Sequence, residues 1–371
     1  MNDQKPLMRR AYVVAPLNII AAGAILTGLI VGSGFLIPLV VAFLVTNVLE
    51  AIIERLQRLG LPLAFALPLA VISVLLALAG IVLVFVGQVD DFMAAWPRYL
   101  ARLESLSRSL LAGLGEDTVA RLQRQLGELN LTARLSSAIG SAGTVLVNFL
   151  LVILYAGFLL AERGRIYRRL IYLGSMRTSP SHARRTLDNI REGIRQYLFV
   201  KTVVSVATGA ISYAVLAAIG LDFAAIWAII TFLLNYIPSI GSTIAVVLPA
   251  LLALLQFETL EPFLVIVGVL AIVQFVIGNV IEPTLMGRSL NLSPFTIVVA
   301  LMFWGAVWGI AGAFLAVPIT AALVILCREL QHWRWVTILL SNEDHAAVPP
   351  TPDDATGPGA PGSNTAPPSP T

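Results

Sequence analysis

Seven stretches of the chain contain no Asp, Glu, Lys or Arg, and together they cover 211 of its 371 residues. The stretches are 11–49, 59–89, 135–161, 202–221, 223–257, 262–281 and 289–327. Each is at least 20 residues long, and about 20 apolar residues cross a bilayer core as an α-helix. Since 58% of the residues are hydrophobic and only 12% are charged, polar side chains are too few to cover a water-soluble fold. The sequence therefore predicts an all-α polytopic membrane protein.

Several functional classes are disfavoured by the same composition. A net charge of +3 is too small to indicate nucleic-acid binding. The single cysteine, Cys327, permits no intrachain disulfide, and the three histidines lie outside the apolar stretches. The sequence has no Gly-x-Ser-x-Gly elbow, no phosphate-binding Gly-x-x-x-x-Gly-Lys loop and no His-Glu-x-x-His pair. We therefore expect no enzyme, no metal and no cofactor.

The N-terminal half divides into apolar and charged segments. Residues 1–10 form a basic N-terminus and 11–87 three transmembrane helices, with spans at about 12–31, 35–53 and 62–87. A tight turn is predicted between the first two, at Gly32-Ser33-Gly34. Residues 88–134 contain six Arg and six acidic residues with leucines at helical spacing, which predicts an amphipathic helical insert outside the bilayer core.

Topology follows from the distribution of basic residues. A transmembrane helix at 135–162 leads into 163–200, which with Lys201 holds ten basic residues and two acids. By the positive-inside rule this helical segment is cytoplasmic. Counting back four crossings places the N-terminus in the cytoplasm and 88–134 on the extracytoplasmic side.

The segment 201–327 is the predicted transport core. It contains spans at about 201–220 and 262–281 and two interrupted stretches, 223–257 and 295–327. Each interrupted stretch is short for two full crossings, so each is either a re-entrant helical hairpin or a pair of short spans. The order of span, broken stretch, span and broken stretch is typical of an inverted repeat with a site near the midplane. The count is about six full transmembrane helices plus two hairpins.

Two segments follow the core. Residues 328–340, with Arg328, Trp333, Arg334 and Trp335, are predicted to be an interfacial anchor on the cytoplasmic side. Residues 341–371 are rich in Pro, Gly, Ala, Ser and Thr and contain no Lys or Arg. This composition predicts a disordered cytoplasmic tail.

Polar residues at membrane depth are the candidate site. Asn235, Pro238 and Gly241 interrupt the first broken stretch, where freed backbone groups could coordinate an ion or a polar solute. The alternative is a simple helix kink. Glu282 ends an apolar span, so it is either functional or located at the cytoplasmic mouth near Arg288. Asn279, one turn earlier, would share its face.

Two other polar residues have simpler interpretations. Lys201 is a weaker candidate for the site, because its ammonium can extend to the membrane interface. Asp222 is expected to cap the helix that follows it.

Taken in order, these motifs resemble the autoinducer-2 exporter-like (AI-2E) family of bacterial transporters over roughly residues 10–335. The matching elements are Asn235-x-x-Pro238-x-x-Gly241, Asn279-x-x-Glu282-Pro283-x-x-Met286-Gly287, Pro294, Gly309-x-x-Gly312 and Ala316-Val317-Pro318. Their order and spacing carry the resemblance, since no one of them is specific alone. The Pro-rich tail departs from the family pattern.

The resemblance implies a secondary transporter of the bacterial inner membrane, in contact with lipid, that forms a homo-oligomer such as a pentamer. It would export a small polar solute such as autoinducer-2, or exchange a monovalent cation such as Na⁺ for protons. The residues expected to bind or gate are Asn235, Pro238, Gly241, Asn279, Glu282, Pro283, Gly287, Gly309, Gly312 and Pro318. The alternatives are a non-transporting scaffold oligomer and a passive channel.

Overall fold

The protein is a bundle of long helices, as predicted. The structure, a computed structural model, describes residues 19–111, 142–176, 179–238, 240–286 and 292–329. The helices are α1 (Ile19–Val31), α2 (Ser33–Arg58), α3 (Leu63–Leu111), α4 (Ala142–Ser175), α5 (Pro180–Ile219), α6 (Ala224–Leu234), α7 (Ile240–Gln256), α8 (Glu261–Val276), α9 (Glu282–Met286) and α10 (Pro294–Glu329). Six segments of the described chain are long and apolar enough to cross a membrane. The all-α polytopic fold class is confirmed.

The predicted tight turn between α1 and α2 is wrong. The Gly32 amide donates to the Gly28 carbonyl and the Leu36 amide to the Gly32 carbonyl, so α1 ends and α2 begins at Gly32, whose φ of −79° and ψ of 3° give a one-residue bend in place of the expected three-residue turn. In an apolar environment a reversal would leave backbone groups unpaired. At 1.5 Å per residue, Ile19 lies about 46 Å along this helix from Glu50, more than the thickness of a bilayer core.

The three transmembrane helices expected within 11–87 and the cytoplasmic N-terminus stay predictions. The count of four crossings that placed the N-terminus in the cytoplasm required a reversal between α1 and α2. The described part of α1 and α2 instead forms one bent rod. Residues 1–10 lie outside the described residues.

The predicted insert and basic segment continue the membrane helices. Helix α3 passes residue 88 without interruption and is described as far as Leu111, so the first amphipathic helix of the insert extends the third span. Helix α5 joins the basic segment to the fifth span over 40 residues, about 60 Å. Ser179 caps its start, Pro180 occupies the first turn, and Gly220 ends it with φ 78°. The rest of the insert, the anchor beyond residue 329 and the tail at 341–371 lie outside the described residues.

Ion pairs join three helices at one end of the bundle, which we call the basic face. The buried Glu50 carboxylate of α2 pairs with Arg191 of α5 and, at 3.6 Å, with Arg163 of α4. One turn further along α2, Glu54 pairs with Arg195 at 2.7 Å. The two glutamates of α2 therefore hold its C-terminal end beside the basic segments of α4 and α5.

A polar cluster ties the extension of α3 to the core at the opposite face. The Asp222 carboxylate accepts hydrogen bonds from Arg98 and from the Tyr99 hydroxyl, each at 2.6 Å. Burial, and then the hydrogen bond to Asp222, raise the pKa of Tyr99 to about 12. The prediction that Asp222 caps α6 is wrong, because Phe223 occupies that position with no side-chain cap. The carboxylate instead joins the loop before α6 to α3.

The first interrupted stretch folds into a helical hairpin, hairpin A (residues 224–256), made of α6 and α7. The two limbs approach so closely that a Cβ on Gly241 would lie 1.8 Å from the Leu234 carbonyl oxygen. Close packing also continues to α5, where a Cβ on Gly209 would lie 3.1 Å from the Ala228 carbonyl oxygen. Small residues thus let the backbones approach closely, as is common between membrane helices.

The second interrupted stretch is hairpin B (residues 294–329), formed by α10 folding back at Gly309. Gly309 has φ 62° and ψ −142°, a conformation that is open essentially only to glycine. The Trp304 indole donates to the Thr320 hydroxyl at 3.1 Å, although these residues would be about 24 Å apart in a straight helix. A Cβ on Gly312 would lie 1.8 Å from the Trp304 carbonyl oxygen, so the turn repeats the glycine contact of hairpin A.

The hairpins enter the bundle from opposite faces. Hairpin A follows the end of α5 that is distant from the basic residues. Hairpin B follows α9, and its returning limb packs Val317, Ala321 and Val324 against Ile194 and Leu198 near the basic end of α5. The Tyr236 and Phe314 rings stack at 6.2 Å near the two turns. The geometry therefore matches the inverted order expected from the hydropathy pattern.

Candidate functional site

A buried ion pair lies beside the turn of hairpin A. The Lys201 ammonium of α5 lies 2.6 Å from the Glu282 carboxylate, and the two side chains are only 4% and 17% exposed. The same ammonium donates to the Asn235 carbonyl at 3.1 Å. The ammonium therefore does not extend to the membrane interface. The pair joins α5, hairpin A and α9, which are far apart in sequence.

Lys201 begins a stripe of buried polar side chains along α5. Its other members are Ser205, Thr208 and Ser212, each almost fully inaccessible. The spacing of four, three and four residues places all of them on one helix face. The Asn235 side-chain amide donates to the Ser205 hydroxyl at 3.1 Å, which orients α6 against the stripe. This spacing is visible in the sequence, and it was the signal that could have identified the stripe.

Glu282 follows a π-helical turn, Ile277–Ile281. π-turns in α-helices are frequent at functional sites. Because each π-turn contains an extra residue, the face relation expected for Asn279 and Glu282 is lost. The Asn279 side chain is exposed and donates to the Phe275 carbonyl of its own helix. The structure therefore brings Glu282 to the ion pair and leaves Asn279 on the outer surface.

The turns of the two hairpins contain the remaining predicted residues. Pro238 lies in the turn of hairpin A, between α6 and α7, and is half-buried. In hairpin B, Gly309 makes the turn, Gly312 makes the close limb contact, and Pro318 is buried in the returning limb. These residues shape backbone and do not supply polar side chains. Pro283 is exposed, and Gly287 lies outside the described residues.

Further hydroxyls lie on α5 and hairpin A, two of the elements that meet at the ion pair. The Thr202 hydroxyl donates its proton to the Leu198 carbonyl at 2.7 Å, so the Tyr236 hydroxyl must be the donor in its 2.9 Å contact with Thr202. Tyr197 precedes Lys201 by one turn. Its buried hydroxyl has no hydrogen-bond partner among the described residues, and the same is true of the Thr231 hydroxyl. Unpaired buried hydroxyls are costly unless a ligand or water pairs with them.

This arrangement can bind a small polar species. It offers a cation and a carboxylate that neutralise each other, a backbone carbonyl at a helix end, and hydroxyls without partners. Within the described residues, no group of three His, Cys, Asp or Glu side chains is placed to hold a metal ion.

Sequence comparisons relate the chain to known transport proteins. A family model described as AI-2E family transporter matches residues 19–332. The chain is 27% identical over 326 residues to the AI-2 transport protein TqsA of Escherichia coli (strain K12), covering 86% of this chain and 92% of TqsA. It is 28% identical over 323 residues to YhhT of the same strain, covering 85% and 90%. A transport-type relative of Haemophilus influenzae is 30% identical over 317 residues, covering 83% and 90%. Since the family model matches most of the chain, this multi-pass membrane protein belongs to the AI-2E family of transporters.

Proposed function

We propose that the chain is a secondary transporter that exports a small polar solute of the autoinducer-2 type across the cytoplasmic membrane. The observation that carries the proposal is the buried Lys201–Glu282 pair beside the turn of hairpin A. Buried charges within a membrane are costly and usually functional. Broken helices that enter from opposite faces are the usual frame of such sites in secondary transporters. The name of TqsA supports the solute class.

The hairpins supply a route for alternating access. The stacked Tyr236 and Phe314 rings join the two turns, and in this proposal they close the path between the basic face and the opposite face. Withdrawal of hairpin A would expose the polar stripe on α5 to one side, and withdrawal of hairpin B would expose it to the other. Ser205 and the unpaired hydroxyls of Tyr197 and Thr231 would hydrogen-bond the solute. Gly241 and Gly312 would set how tightly each hairpin closes.

Exchange of a monovalent cation for protons is the second candidate. It is favoured by the Glu282 carboxylate, which is mostly buried and belongs to a helix long enough to span the membrane. In this case protonation of Glu282 would release Lys201 from the pair.

Flux in proteoliposomes tests both candidates. Purified protein would be reconstituted with autoinducer-2 inside and an imposed pH gradient, with and without sodium. We expect wild-type export that depends on the gradient, and Glu282→Gln should lose that dependence. Asn279→Ala is the matched control, since Asn279 is exposed one turn away, and it should transport like the wild type.

The other outcomes identify the alternatives. Sodium-dependent proton movement without autoinducer-2 flux would favour cation exchange. Autoinducer-2 flux that does not depend on the pH gradient would indicate a passive channel. Folded wild-type protein that moves neither species would contradict the proposal and favour a scaffold. Because Glu282→Gln leaves the Lys201 charge uncompensated at a cost of about 3–5 kcal/mol, its melting temperature must be measured alongside flux.

We also propose a homo-oligomer in the inner membrane with the basic face in the cytoplasm. The ten basic residues of 163–201 support that orientation. Apolar side chains exposed along α3 and α10 support lipid or subunit contacts. Native mass spectrometry of the detergent-solubilised protein would report the subunit number, including the pentamer implied by the resemblance, and a monomer would contradict the assembly.

A further inference from the structure

Lys201 holds the position at which a transporter would bind a coupling cation. We infer that its ammonium permanently occupies a monovalent-cation site formed by the Glu282 carboxylate and the Asn235 carbonyl, so that the wild-type protein binds no sodium there. This inference deepens the proposed function and rests on the proposal that this site takes part in transport.

The ligands around the ammonium are those of a cation site. One is a carboxylate oxygen at 2.6 Å and the other is a backbone carbonyl oxygen at 3.1 Å. Asn235 is the C-cap of α6, so this carbonyl lies at the negative end of a half-helix dipole. In secondary transporters, unwound carbonyls and half-helix C-termini coordinate sodium or protons. These two oxygens therefore form a site for a cation, and the Lys201 ammonium occupies it.

Charge balance explains why a second cation is excluded. One ammonium and one carboxylate sum to zero, so a sodium ion would add an uncompensated charge to a buried site, which is strongly unfavourable. Steric occupancy acts in the same direction, because the ammonium already contacts both oxygens. Removing the Lys201 charge while keeping most of the length of the side chain, as methionine does, would leave the Glu282 carboxylate and the Asn235 carbonyl without a cation.

The choice of lysine is itself informative. The chain contains only two lysines, Lys5 and Lys201, against 22 arginines. An ammonium is a compact point charge on a flexible stem, whereas a guanidinium is a planar fork. A lysine is therefore the basic side chain that most closely imitates a small monovalent ion. Lys5 provides a control with the same change of charge.

Sodium binding to the full-length purified protein tests the inference. Equilibrium binding of ²²Na⁺ would be measured in detergent at pH 7 and constant ionic strength, with choline as the replacing cation. The variants are Lys201→Met, Glu282→Gln, Lys201→Met with Glu282→Gln, and Lys5→Met. We expect saturable binding of about one sodium per chain in Lys201→Met, at least tenfold tighter than in the wild type, the double variant and Lys5→Met.

Three results would overturn the inference. The first is that the wild type binds sodium and Glu282→Gln abolishes this binding. The second is that Lys201→Met folds but binds no sodium. The third is that Lys201→Met binds sodium and the double variant binds it equally well. The wild-type measurement remains decisive if Lys201→Met does not fold. Because binding is measured without flux, a wild type that transports no solute but shows the expected binding pattern overturns the proposed function and leaves this inference standing.

Discussion

Substituting Gly241 by alanine should force hairpin A open. The added Cβ would lie 1.8 Å from the Leu234 carbonyl oxygen and 2.6 Å from its carbon. Ordinary contact begins near 3.4 Å, so the two limbs must separate by about 1.6 Å. Both contacts are backbone atoms, which cannot rotate away. Overpacking costs about 1–3 kcal/mol and sometimes more, and we expect about 3 kcal/mol here because no flexible side chain can yield.

Melting temperature and solute flux in the same preparation would measure this effect. Gly305→Ala is the matched control, because Gly305 lies in a limb of hairpin B with nothing within 4 Å of its added Cβ. That control should be neutral or gain about 0.5–1 kcal/mol from helix propensity. We expect Gly241→Ala to melt lower and to lose flux. A Gly241→Ala protein that melts and transports like the wild type would refute the close-packed hairpin.

Three further expectations concern the ends of the bundle. Glu50→Gln should lower the free energy of unfolding by about 1–2 kcal/mol, measured by thermal melting, because it removes ion pairs to two arginines that water can partly solvate again. Glu162→Gln is the control and should cost under about 0.5 kcal/mol, because the ion pair of Glu162 is exposed. Equal effects of the two substitutions would contradict a stabilising role for the Glu50 ion pairs. The folded protein binds the Tyr99 proton more tightly than the unfolded chain, since the pKa is raised from 10 to about 12. Its contribution is therefore present below pH 10 and lost as pH rises towards 12, so the melting difference between wild type and Tyr99→Phe should shrink over this range; a constant difference would exclude the linkage. In a Cys-free background, Ile19→Cys should react with an impermeant thiol reagent from the membrane side opposite to Ser181→Cys, and labelling of both from one side would exclude the bent rod.

The membrane character and the two broken segments could be predicted because they depend on local composition. A bilayer core excludes uncompensated charge and unpaired backbone groups, so charge-free runs of sufficient length identify spanning helices. Pro238 and Gly309 similarly mark interruptions, since one lacks a backbone donor and the other reaches positive φ. The opposite entry of the hairpins then follows from the parity of the spans.

The turn at Gly32 was mispredicted because glycine permits a reversal without requiring one. The charge-free run 11–49 is too long for a single crossing, which favoured division at Gly32-Ser33-Gly34. In the structure the Trp308 indole donates to the Leu29 carbonyl at 2.9 Å, so hairpin B packs beside the bend. A side chain inserted into a helical hydrogen-bond ladder is a known cause of bending without reversal. The local sequence does not predict this contact between residues that are far apart in the chain.

The partner of Glu282 could not be predicted because it lies 81 positions away. Lys201 sits at the end of a basic segment, and this position suggested a side chain extended to the interface. The assembled fold instead closes hairpin A over it, and Asn235 and Glu282 then supply two oxygens. Asn279 shows the reverse error, since an α-helical spacing rule was applied across a π-turn. Long-range pairing and local helix phase are set by packing, and a single sequence does not contain either.

The most direct test of the account joins the two hairpin turns and measures export. With Tyr236→Cys and Phe314→Cys in a Cys327→Ser background, the native ring stacking at 6.2 Å predicts efficient cross-linking by a short bifunctional thiol reagent. A reagent with a reducible linker, applied before autoinducer-2 efflux is followed in proteoliposomes, should stop flux, and reduction should restore it. Unchanged efflux from protein shown to be fully cross-linked would contradict the claim that the hairpins separate during transport.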